Sequence, residues 1–215
     1  MSPTRRGYLW GVCGPASLAG LAGCAVPAPT ASNRDDGDGD GPPDGNGTDS
    51  GGTRPPGTGG PGVTVVSVDG DLELPIDPTV DVVREAATSE SPPRLRTTLT
   101  NTGDDRVRIG EGRAVHFEYV TDDSGLLLLL PPADWYPAEP DCWRLTEGIA
   151  VTEEYRTFEV DAGASSSRVV DLYATPEADG CLPVGEFRFE TTVAVVSSDA
   201  ESLSSGRWGF TVLLE

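Results

Sequence analysis

One histidine, four cysteines and a surplus of carboxylates are the groups in this 215-residue chain that could carry chemistry. His116 sits in the run VHFEY, where Val115, Phe117 and Tyr119 alternate with His116 and Glu118. That alternation predicts a strand with His116 turned to solvent, not a base or a ligand. Glu153 and Glu154 are adjacent and could divide acid and base roles. Nothing in the sequence singles them out from the 29 acidic residues of positions 63–215. Asp36, Asp38, Asp40 and Gly41 copy the opening of a calcium-binding loop. The bidentate glutamate due at its twelfth position is replaced by Gly47. A zinc site needs four ligands, and His116 with Cys142 and Cys181 falls short. The chain contains no GxSxG, phosphate loop, HExxH or CxxC. We therefore expect no catalytic residue, no metal and no cofactor.

The segment with most binding potential is PPADWYPAEPDCW, residues 131–143. Its prolines favour an open loop. Trp135, Tyr136 and Trp143 fall within nine residues. Such rings can stack on a sugar or anchor a protein partner. They can equally fold back and cap the domain beside Cys142.

The elements that must hold this loop read as strands. Leu95, Thr97 and Leu99 alternate with Arg94, Arg96 and Thr98. Phe187, Phe189, Thr191, Val193 and Val195 repeat the period of two, and so do Trp208, Phe210, Val212 and Leu214. Turn residues separate the runs: NTGDD at 101–105, DDSG at 122–125, DAG at 161–163 and PVG at 183–185. No amphipathic helix longer than two turns is visible. The pattern predicts an all-β, antiparallel β-sandwich. Five consecutive leucines, residues 126–130, are too few to span a membrane. They predict a strand covered on both faces, ended by Pro131 and Pro132.

The charge is extreme: 35 acidic residues face 15 basic ones, all arginine, for a net −20. Such a surface repels nucleic acid and anionic lipid headgroups. It resembles the proteins of extreme halophiles, which work where the Debye length falls to about 3 Å. Stability that rises with salt is the expectation.

The N-terminus reads as an address. Arg5 and Arg6, followed by a short apolar stretch to Ala22, resemble the twin-arginine export signal. Leu21-Ala22-Gly23-Cys24 resembles the lipobox of lipoproteins, in which the cysteine takes the lipid. The resemblance implies a signal peptide over residues 1–23 and a membrane anchor at Cys24. Residues 24–62 then form an acidic Gly/Pro-rich tether, with almost nothing apolar to bury. Its reach is roughly 35 Å. Asn46-Gly47-Thr48 is a candidate glycosylation sequon. Residues 63–215 are the folded domain.

Within that domain, LRTTLTNTGDDRVRI (95–109) looks like the opening strand–turn–strand of immunoglobulin-like domains. CLPVGEFRFETTVAV (181–195) is similar to their closing strand. With the intervening DDSG, the pattern resembles the intracellular proteinase inhibitor (BsuPI-like) sandwiches and related domains of unknown function on haloarchaeal-type lipoproteins. These motifs specify turns and strand faces, not a site. With Cys13 and Cys24 assigned to the signal and the anchor, Cys142 and Cys181 remain. Outside the cell they are expected to pair, closing a loop of about 40 residues. The expected function is a monomeric, non-catalytic binding or structural module on the extracellular face of the cell membrane. Its partner would be an envelope protein or a glycan. The alternatives are a proteinase inhibitor or an uncharacterised extracellular enzyme. A solute-binding receptor fits poorly, because such receptors are usually larger and two-lobed.

Overall fold

The computed structural model describes residues 60–215. Arg5, Arg6, Cys24 and Asn46 lie outside the described residues. Ten strands form two antiparallel five-stranded sheets packed face to face. The strands are β1 (Val63–Val68), β2 (Ile76–Arg84), β3 (Arg94–Asn101), β4 (Val107–Gly110), β5 (Val120–Thr121), β6 (Leu127–Leu130), β7 (Thr157–Val160), β8 (Ser165–Ala174), β9 (Gly185–Val196) and β10 (Ser202–Leu214). The first sheet runs β1-β10-β9-β4-β7 and the second β2-β3-β8-β6-β5. Residues 60–215 are thus an antiparallel β-sandwich. Pairing starts ahead of β1: Gly60 N–H donates to Ala87 O at 2.8 Å, and Gly62 and Glu215 exchange two backbone bonds.

The period of two explains the core. Leu95, Thr97 and Leu99 point inward, and so do Phe187, Phe189, Val193, Trp208, Phe210, Val212 and Leu214, all buried. Phe117 wedges among them, its ring 4.8 Å from Phe210 in an edge-to-face contact. Leu127 and Leu129 enter the same core, whereas Leu128 and Leu130 join a second cluster. The leucine run is therefore covered on both faces, as its composition predicts.

The VHFEY run differs from expectation. It is no strand but a single 3-10 turn, Ala114–His116. Phe117 and Tyr119 follow at φ 60° and 65°. Alternate residues in the left-handed region cannot pleat, so the apparent alternation does not put His116 in solvent. Val115, His116 and Phe117 are all buried.

One connection organises the rest. β4 and β7 pair directly, Val107 with Val160 and Gly110 with Thr157. The 46 residues between them form an excursion, 111–156, that leaves the first sheet. It turns inward at His116, adds β5 and β6 to the second sheet and returns through a long loop. Every candidate residue of positions 114–154 lies in it.

Candidate functional site

The loop of the excursion folds over the outer face of the second sheet, beside β6 and β8. Leu130, Tyr136, Leu145 and Tyr173 are its buried centre. Tyr136 meets Tyr173 edge-on at 5.6 Å, and Trp143 meets the same ring at 6.0 Å. The Trp143 indole N–H donates to Thr88 O at 2.7 Å. Backbone bonds complete the seam: Leu145 N–H to Ala174 O and Ala174 N–H to Trp143 O, each 2.9 Å. Cys142 is disulfide-bonded to Cys181 with a Cα separation of 4.8 Å. Its neighbours Asp141 and Trp143 both have positive φ. The bridge joins the loop to the β8–β9 connection, where Ala178 and Leu182 are buried.

The three aromatic candidates thus part ways. Tyr136 is 8% exposed and Trp143 half-buried, both engaged in packing. Trp135 is 67% exposed, its ring 4.4 Å from that of Tyr136. It alone of the three offers an open face. The Tyr136 hydroxyl is buried without a partner. Burial pushes its pKa well up and keeps it un-ionised; Tyr173 is likewise pushed up to about 12.

His116 is fully enclosed between the sheets. Nδ1 lies 3.1 Å from Thr97 Oγ1 and Nε2 3.0 Å from Ser166 Oγ. Thr97 Oγ1 also contacts His116 O at 3.2 Å. Since that hydroxyl has one proton, directing it to the carbonyl leaves Nδ1–H as donor to Thr97 and Nε2 as acceptor from Ser166. The ring stacks on Phe158 at 5.5 Å. A serine hydroxyl at 3.0 Å from an imidazole is the spacing of a nucleophile and its base. Here Nδ1 faces a hydroxyl rather than a carboxylate, and the ring is 0% exposed. Burial, and secondarily the Arg168 guanidinium, lower the pKa to about 4, which makes a weak base at neutral pH. The arrangement ties β3, β8 and the excursion together rather than activating Ser166.

No family model, curated protein or solved structure matches the chain. The site must be read from its own chemistry.

That chemistry predicts a pH dependence. The unfolded chain takes up a proton on His116 near pH 6.5, the folded one only near pH 4. The His116 contribution to stability is therefore full only well above pH 6.5 and is lost as the pH drops toward 4, by about 1.6 kcal/mol between pH 6.5 and 5. Urea unfolding at molar salt should show this slope. His116→Asn, though less stable throughout, should lack it; an equal slope in both proteins would refute the assignment.

Glu153 and Glu154 form no acid–base pair. The Arg156 guanidinium grips Glu154 at 2.7 and 3.0 Å and holds its carboxyl below the usual range. Both glutamates are exposed. Among the described residues no cluster of three or more His, Cys, Asp or Glu side chains is arranged to hold a metal. Two features escaped sequence reasoning: the burial of His116 and a groove around Arg96. Neither has a periodic signal, because both depend on how the excursion returns.

Proposed function

We propose that this chain is a lipid-anchored, non-catalytic binding or structural module on the outer face of the cell membrane, built for high salt. The observation that carries the reading is the Cys142–Cys181 bridge. Such bridges persist in oxidising compartments, so it supports the export implied by Arg5, Arg6 and the lipobox at Cys24. The acidic surface, free of lysine, supports the saline setting. The strand order supports an immunoglobulin-like plan in which β10-β9-β4-β7 faces β2-β3-β8, with β5 and β6 as an inserted hairpin. Exposed Trp135, held on a loop with a disulfide at its far end, supports contact with an envelope protein or a glycan.

Fractionation of a haloarchaeal host expressing the full chain tests this. The wild type should sediment with membranes and show no free thiol. Cys24→Ala should be released. Equal sedimentation of the variant, or two free thiols in the mature protein, would count against the reading.

A further inference from the structure

Residues 63–215 contain 11 arginines. Nine contact a carboxylate. Arg84 instead donates to Pro92 O at 2.9 Å. Arg96 is the exception: among the described residues its guanidinium has no hydrogen bond or ion pair. The register nevertheless places Asp81 of β2 directly opposite it, and Val169 of β8 on its other side. In a domain crowded with carboxylates, one guanidinium fork is left open.

That fork lines a groove of about 350 Å³ together with Arg168, Glu118, Ser167, Val169, Pro131 and Pro132. Arg168 gives Nη1 to Glu118 at 2.9 Å, and its guanidinium lies 5.8 Å from the centre of the Phe158 ring. Pro131, Pro132 and Val169 supply apolar walls. The volume suits a small molecule.

We propose that this groove binds a small organic monocarboxylate. The Arg96 fork accepts the carboxylate side-on, as planar guanidinium and carboxylate groups match in geometry. Arg168, held by Glu118 and lying over Phe158, borders the groove, and the prolines and Val169 cover the apolar body. Asp81 beside the fork and Glu118 on Arg168 act at short range even at molar salt, and they favour a ligand with a single negative charge. This supplies a ligand class for the proposed binding module and rests on that reading. It concerns a groove rather than the anchor, so membrane release and ligand binding succeed or fail separately.

The test uses the full-length exported protein in detergent at molar NaCl. Benzoate is titrated while the arginine Nε–Hε resonances are followed by NMR. The Arg96 signal should shift saturably, and Arg96→Gln should weaken binding at least tenfold. Arg168→Gln should weaken it less, and Asp81→Asn should strengthen it. Benzamide, neutral and of the same shape, should leave the signal in place. Arg96 is exposed, so its replacement leaves the core intact. An unsaturable shift, equal affinity in Arg96→Gln, an equal response to benzamide, or tighter binding of inorganic phosphate would each overturn the proposal.

Discussion

Replacing Cys142 and Cys181 together by serine should lower the stability of the domain by roughly 3–4 kcal/mol. The two cysteines are 39 positions apart, and the bridge denies the unfolded chain the freedom of that whole loop. In the folded state the loss is local. The excursion loop keeps Tyr136, Leu145 and Trp143 packed on Tyr173 and Leu130, so the sandwich survives. The two effects have separate signatures. Denaturant unfolding at molar salt and pH 7 should show a lower midpoint and a steeper slope, because the unreduced unfolded chain is the more compact one. Reduction of the wild type should reproduce both changes, which guards against a serine-specific artefact. A stability change under about 1 kcal/mol would mean that residual structure already restrains this loop in the unfolded chain.

Much of the sandwich is legible in the sequence because two-sheet burial leaves a period of two. β3, β9 and β10 carry it plainly: Leu95, Leu99, Phe189, Phe210 and Val212 are buried where alternation puts them. The leucine run is legible for the opposite reason, since a strand covered on both faces loses its alternation. The excursion is where such reasoning fails. VHFEY alternates by composition, yet Phe117 and Tyr119 are left-handed and His116 is enclosed. Local pattern cannot report a turn whose side chains are placed by Thr97 and Ser166, 19 and 50 positions away. The same holds for the site. Composition marks Trp135, Tyr136 and Trp143 as one group, and only the fold separates the exposed ring from the two that pack. Arg96 looks like any outward-facing strand residue; its open fork emerges only when the partners of the other arginines are known.

The other large effect is expected where β8 loses its alternation. In VVDLYA, from Val170 to Ala174 every residue is buried, because the core lies on one side and the returned loop on the other. Apolar side chains there would tolerate a one-residue slip against β3, which exchanges the two faces of a strand. Asp171 breaks that degeneracy. It pairs in register with Arg94, whose Nε and Nη2 reach its two carboxylate oxygens at 2.6 and 2.8 Å. The Asp171 side chain is 4% exposed and that of Arg94 26%. Arg94→Met should therefore cost about 3–5 kcal/mol, most of it the penalty of a buried carboxylate left without its partner. Arg94→Met combined with Asp171→Leu should recover most of that loss, since an apolar pair of similar volume needs no partner. The double variant then separates stability from register. If the pair serves mainly to fix alignment, the recovered protein should exchange β3 and β8 amide protons faster than the wild type at matched stability. Unchanged exchange would make the pair an ordinary buried bridge, and a single-variant loss below about 1 kcal/mol would show that water reaches Asp171.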